Sequence, residues 1–180
     1  MLICRTPLRI SFFGGGTDYP TWYMKNSGAV ISSTINKYSY ITARKLPPFF
    51  DYKYRIRYYN NEEVKTLEEI KHPSVRECAR YLNIKGGLEI IHTADLPARS
   101  GLGSSSTFTV GMLHVLHTLQ NYMPTKRELA LEAIHIEQNL IKEAVGSQDQ
   151  TAAAFGGLNL IRFSNSKEFD VDPIIIPKER

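Results

Sequence analysis

An α+β fold, with helices packed on a mixed, mostly antiparallel sheet, is what this sequence predicts. Three observations carry that reading. Apolar and polar residues alternate at period two over 28–45 and 52–59. Apolar residues recur at helical spacing over about 104–120 and again from 129 to 140. The segments run as strands, one helical segment, a strand, two helices and a last strand, an order that suits helices layered on a sheet.

Taken in order, residues 2–13 are rich in Ile, Leu and Phe and run into Gly14-Gly15-Gly16, a strand entering a tight turn. Residues 28–45 form one long strand or two paired ones, with Pro47-Pro48 marking the connection that follows. Tyr52, Tyr54, Ile56 and Tyr58 mark a half-buried antiparallel strand over 52–59. Residues 66–82 read as helix, in two pieces split near Pro73. Residues 87–93 are a strand, followed by a loop at 95–103 and a helix from about Ser104 to Gln120. Thr125 and Glu128 form a capping-box signature for a helix that Gly146 closes. After a loop at Ser147–Asp149, Ala152–Phe155 make a helical turn and Gly157–Phe163 a strand. The proline-bearing, charged stretch Pro173–Arg180 reads as linker.

The bulk numbers narrow the function. With 180 residues, 42% of them hydrophobic, the chain has the length for one cored domain. Its 22 basic and 18 acidic residues leave a formal charge of +4. The basic clusters Arg55–Arg57 and Lys126–Arg127 are too short for a nucleic-acid tract. Cys4 and Cys78 are the only cysteines and form no CxxC pair, which fits a reducing compartment. The N-terminus has no long apolar signal region and no window approaches a membrane span, so a soluble, cytoplasmic protein with no nucleic-acid or membrane partner is expected.

One loop has the chemistry of a phosphate cradle: Pro97, Ala98, Arg99, Ser100, Gly101, Leu102, Gly103, Ser104, Ser105 and Ser106. Phosphate oxygens need several backbone N–H donors at close range, and Gly101 and Gly103 remove the side chains that would block the approach. Ser104–Ser106 then open a helix whose free N–H groups favour an anion. The residues alone also fit a loop with ordinary serine N-caps. A Walker A loop is excluded because no lysine follows Gly103. A Rossmann fingerprint is excluded because Ser106 stands in place of the third glycine and Thr125–Glu143 is a second helix, where a strand is needed.

Two further constellations stand out. Arg9 and, nine residues on, Asp18 flank the glycine turn, with Thr17 and Tyr19 beside the carboxylate. A carboxylate there can accept hydrogen bonds from sugar hydroxyls or cap the turn. Glu137 lies in an apolar-striped helix, with Asp149 twelve residues further on. From the residues alone they fit a solvated helix acid and a helix cap. Glu132 and Glu143 read as surface charge. His114 and His117 share a helix face with no third ligand beside them, which argues against a metal site.

The segment Pro97–Ser106 resembles the second motif of the GHMP kinases, a proline, a short spacer and Gly-Leu-Gly-Ser-Ser. Arg9, Gly14, Thr17, Asp18 and Tyr19 are similar to the first motif as galactokinases carry it, and Glu137 and the Asp149-Gln150 pair match the galactokinase spacing. The resemblance covers Arg5 to about Phe163. It implies the fold of ribosomal protein S5 domain 2, with residues 1–165 the N-terminal ATP-binding domain and 166–180 the start of a linker. The third family motif, in a C-terminal ferredoxin-like domain, lies outside this sequence, so a truncated chain is expected. The resemblance implies that the loop wraps the ATP phosphates, that Ser105 and Glu137 ligate Mg²⁺, and that Asp149 is the catalytic base, held ionised by Arg9. It assigns the acceptor to Arg9, Gly15, Gly16, Thr17, Asp18 and Tyr19. Gly15 and Gly16 stand where galactokinases place Glu and His, which opens space for a larger or phosphorylated sugar. That pattern resembles the heptose-7-phosphate kinases of bacterial surface-sugar pathways, which phosphorylate the anomeric hydroxyl. A fucokinase- or galactokinase-like kinase and a non-catalytic nucleotide or sugar binder remain the alternatives, and a homodimer is left open.

Overall fold

The computed structural model describes residues 1–97, 100–165 and 169–177. Its strands are β1 (Leu2–Phe13), β2 (Gly28–Leu46), β3 (Tyr54–Arg57), β4 (Asn61–Val64), β5 (Gly87–Ala94), β6 (Leu158–Phe163) and β7 (Phe169–Pro173). Its helices are α1 (Pro20–Asn26), α2 (Pro73–Tyr81), α3 (Ser104–Leu119), α4 (Lys126–His135) and α5 (Gln148–Phe155), and a π-helical segment, Ile136–Ile141, continues α4. Together these make the α+β architecture that the sequence predicts.

β2 organises the sheet. Its 19 residues pair antiparallel with β1, β5 and β6. β3 pairs antiparallel with β4 and parallel with β5, and β7 closes the β6 edge antiparallel. The β3–β5 pairing is the parallel one, and α2 lies in the crossover that such a connection needs. Alternation along β2 buries Val30 and Ser32 in its first part and Ser39, Ile41 and Ala43 in its second, the parity of the buried positions changing across the middle of the strand. On the opposite face of β5, buried Glu89 is held by Arg44 and Arg55.

α3 and α5 lie directly on the sheet, with α2 and α4 flanking α3. Between them sits the main core, in which Ile41, Ile56, Ile90, Met112, Leu113, Leu116 and Ile136 are all essentially inaccessible. A smaller cluster of Tyr23, Val30, Ala152, Ile161, Phe163 and Phe169 anchors α1 and the β6–β7 end. Among the described residues no helix is long and apolar enough to cross a membrane.

Several boundaries differ from the sequence reading, each for a local reason. Only the second piece of 66–82 is helix, beginning with Pro73 at its first turn. The first piece is held as a turn, because the Glu69 carboxylate accepts the N–H groups of Lys65 and Thr66 at 2.9 and 3.3 Å. The strand at 52–59 shortens to β3 and is not purely antiparallel. The α4 segment does not run to Gly146. It passes into the π-helical segment and stops at Lys142, which adopts a left-handed φ of 64°. α5 begins at Gln148, ahead of the short turn expected at 152–155. The sheet also extends past residue 165: β7 lies within the segment read as linker, because Phe169 is buried against Phe155 and Phe163. Glu132, read as surface charge, pairs with the buried His117 ring at 2.7 Å.

The capping box of α4 forms as expected. Glu128 N–H donates to Thr125 Oγ1 at 3.2 Å, and Thr125 N–H donates to the Glu128 carboxylate at 2.6 Å. Thr125→Ala should therefore cost about 1 kcal/mol of stability. In thermal unfolding that is a fall of roughly 2–4 °C for a domain of this size, and an unchanged midpoint would refute the assignment.

Candidate active site

The site gathers where four segments converge: the end of β1, the glycine turn after it, the loop entering α3, and the start of α5. β1 supplies Arg9 through an irregularity. The register with β2 jumps from Pro7↔Tyr38 to Arg9↔Thr34, so consecutive Leu8 and Arg9 are both buried, which strict alternation would not allow. Arg9 N–H then donates to Leu102 O at 3.1 Å, joining the strand to the glycine–serine loop.

The Arg9 guanidinium binds in two directions. Its Nε and Nη2 both lie 2.7 Å from Asp149 Oδ1, and its Nη1 donates to Gly101 O at 2.7 Å. This fork ties the expected base to the expected phosphate loop. Gly103 sits in the angle of that pair with φ 75°, where a Cβ would lie 3.2 Å from Arg9 Cγ and 3.3 Å from Asp149 Oδ2. A side chain there would crowd the ion pair as well as strain the backbone. Ser104–Ser106 form the first turn of α3, whose N-cap, Gly103, has no side chain to offer the free N–H groups. Pro97 and Ser100 are exposed beside them. Ala98 and Arg99, also expected in this loop, lie outside the described residues.

Glu137 is fully buried, not a solvated helix acid. The π-helical segment that carries it points its carboxylate at the start of α3. Its Oε2 accepts from Ser106 Oγ at 2.8 Å and from the buried Gln150 amide. Its Oε1 has no partner among the described residues. Burial pushes its pKa above the usual carboxylate range, against the pull of the nearby Thr109 hydroxyl and of the hydrogen bonds from Ser106 and Gln150. A buried carboxylate oxygen left free beside a serine hydroxyl is a donor set that suits a hard divalent cation. The serine bonded to Glu137 is Ser106. Ser105, the serine expected beside the metal, is exposed one position earlier. Among the described residues no three His, Cys, Asp or Glu side chains cluster as a metal site. A cation here would have few protein ligands and would need phosphate oxygens to complete its shell.

Asp149 was expected to be held ionised by Arg9. Arg9 does pull its pKa down, but burial outweighs that and nearby Asp18 adds to the upward shift, so the carboxyl titrates above the usual aspartate range. Asp18 is 1% exposed and is taken by the main chain. Its Oδ1 accepts from Gly16 N–H at 3.0 Å, its Oδ2 from Gln148 N–H at 3.2 Å, and its carbonyl from Ser147 N–H at 2.9 Å. The fit is so close that a Cβ on Gly146 would stand 1.8 Å from Asp18 Oδ2. Gly146 is there for this contact and does not end a helix. Thr17 Oγ1 bonds Gly14 O and Ala29 N–H at 2.8 and 3.1 Å, fastening the glycine turn to β2.

These residues enclose a cavity of about 130 Å³ lined by Arg9, Asp18, Tyr19, Ser106, Gly146 and Asp149, with Val145 and Gln148. A Cβ on Gly16 would meet nothing within 4 Å, and one on Gly15 would make only ordinary contact with Gln148 Nε2 and Ser11 Oγ at 3.8 Å. A larger groove of about 560 Å³ adjoins it along α1 and the π-helical segment and shares Tyr19 and Val145. Arg9, Ser106 and Asp149 do not line that groove, so the smaller cavity is where chemistry is possible. Sequence reasoning overlooked Gln148, which gave no signal beyond its polarity. Gln150 entered only as half of a motif pair, and Ser106 only as part of the phosphate loop, whereas both bond Glu137.

The comparisons agree with this fold. Residues 70–157 match the GHMP kinases N terminal domain. The chain is 31% identical over 185 residues to a D-glycero-alpha-D-manno-heptose 7-phosphate kinase of Campylobacter jejuni, covering 96% of this chain and 53% of the relative. It is 30% identical over 184 residues to a galactokinase of Pyrococcus furiosus, covering 97% of this chain and 50% of the relative. The chain thus spans about half the length of the curated relatives it matches. A D-glycero-D-manno-heptose 1-phosphate kinase from Bacteroides thetaiotaomicron superposes with a TM-score of 0.89 at 25% identity, over 99% of this chain and 61% of that one. By family match, sequence likeness and fold, the chain carries a GHMP kinase N-terminal domain.

Proposed function

We propose that this chain is the ATP-binding part of a sugar kinase that transfers the γ-phosphate to the anomeric hydroxyl of D-glycero-D-manno-heptose 7-phosphate. The observation that carries the reading is the junction at the start of α3. There Arg9 ties Asp149 to the phosphate loop, and Ser106 ties the loop to a buried carboxylate with a free oxygen. The heptose acceptor is supported by the likeness to the two heptose kinases and by the side-chain-free turn at Gly15 and Gly16. GHMP kinases use ATP.

In this reading the N–H groups from Gly101 to Ser106 hold the ATP phosphates at the helix N-terminus. Glu137, with the serines Ser105 and Ser106, would hold Mg²⁺, which supplies charge neutralisation on the phosphates. Asp149 accepts the proton of the attacking hydroxyl. Arg9 fixes the Asp149 carboxylate toward the loop, so that base and phosphoryl group are aligned before reaction. Tyr19 and the glycine turn form the acceptor wall.

Asp149→Asn should lower kcat by about 10²-fold or more with little change in the KM for ATP. ADP release across a panel of heptose 7-phosphate, fucose and galactose measures this, and an active variant would exclude Asp149 as the base. Glu137→Gln should raise the Mg²⁺ concentration needed for half-maximal ATP binding, and an unchanged requirement would remove Glu137 from the metal. The base works only when ionised, and burial raises its pKa. The rate should therefore fall on acidification at a pH above the ordinary aspartate range. Arg9→Met, which removes the lowering cation, should move that limb further up, and a limb that stays in place would count against the pair.

A further inference from the structure

Gln148 is the polar group at the cavity that the proposed phosphoryl transfer leaves without a task. It opens α5 immediately before Asp149 and lines the 130 Å³ cavity with Arg9 and Asp149. Its backbone is clamped: the Gln148 N–H is held by Asp18 Oδ2, and the preceding Ser147 N–H by the Asp18 carbonyl. Its side chain is not satisfied, since Oε1 is buried with no hydrogen-bond partner among the described residues. The amide nitrogen lies over the bare turn, 3.8 Å from where a Cβ on Gly15 would stand. A buried amide oxygen without a partner is uncommon in a folded domain and calls for an explanation.

Asp18, by contrast, has both carboxylate oxygens on main-chain N–H groups and is almost inaccessible. It acts through α5, fixing where Gln148 and Asp149 stand. Of the two side chains flanking the glycine turn at this end of α5, Gln148 is the one with an unpaired polar atom. An amide both accepts and donates, so it can bond a hydroxyl in either orientation.

We propose that Gln148 is a specificity-determining residue: its side-chain amide binds the acceptor hydroxyl that neighbours the one attacking, in the space that Gly15 leaves open. This rests on the reading of Asp149 as base. If attack is by the anomeric oxygen, the group bound is the hydroxyl at C2. A site with a buried amide shaped for a hydroxyl rejects an analogue that lacks it, because the amide is then left unpaired.

The test compares D-glycero-D-manno-heptose 7-phosphate with its 2-deoxy analogue, by calorimetric binding and by kcat/KM, in the wild-type chain and in Gln148→Met. Wild type should prefer the hydroxylated sugar by about 10²-fold or more. Gln148→Met, close in size but without the amide, should lose at least tenfold of that preference while keeping its affinity for ATP. Gln148→Glu keeps the acceptor oxygen and should retain part of the preference, and it serves as the test variant if Gln148→Met does not fold. A preference that is unchanged in the variants, or no binding of either sugar to wild type, overturns the proposal. Asp149→Asn, run in parallel, separates the two readings. If Asp149→Asn still turns over, the base assignment fails. If it is silent while Gln148→Met keeps the preference, only the role of Gln148 fails.

Discussion

Everything at this site is referred to one contact, the fork of Arg9 onto Asp149 and Gly101. A guanidinium offers donors in a fixed plane, so it can hold a carboxylate and a carbonyl at once with both directions set. The contact joins three segments: the end of β1, the entry to α3 and the start of α5. It also explains local oddities elsewhere. The register jump in β1 exists because Arg9 must point inward beside Leu8. Gly103 is left-handed and bare because the pair passes directly over it.

A second constraint works at right angles to the first. Asp18 holds the glycine turn through Gly16 and the helix start through Gln148, and Gly146 has to be glycine to let it in. The two carboxylates thus divide the labour. Asp149 keeps an upward-shifted pKa in a partly solvated cavity, while Asp18 is spent on main-chain donors and fixes the position of its neighbour. Glu137 completes the arrangement from behind, where Ser106 and Gln150 fix one oxygen and leave the other free.

Much of this was legible in the sequence. Period-two alternation found β2 and β3, helical spacing and Thr125-x-x-Glu128 found α3 and α4, and motif spacing brought Arg9, Glu137 and Asp149 forward. What stayed hidden depended on tertiary contact. Nothing in the local pattern of 66–82 distinguishes a helix from a turn pinned by Glu69. The π-helical segment at Ile136–Ile141 has ordinary helical composition, and its widened turn is set by what Glu137 must reach. Phe169 looks like one aromatic residue in a charged tail until Phe155 and Phe163 are beside it. The surroundings of Asp18 were the hardest to read, because the main-chain donors of Gly16 and Gln148 that meet its carboxylate come from segments far apart in sequence.

The sequence separation of the Arg9–Asp149 pair has a consequence for how the domain is made. The partners stand 140 residues apart, at opposite ends of the domain. Contacts of such long range are entropically costly to close and tend to form late. As the chain leaves the ribosome, β1 can find β2 early, but Arg9 then waits with its charge uncompensated until α5 has been synthesised. The binding cavity is thus among the last features of the domain to be completed, and it cannot be present in a fragment that lacks either end.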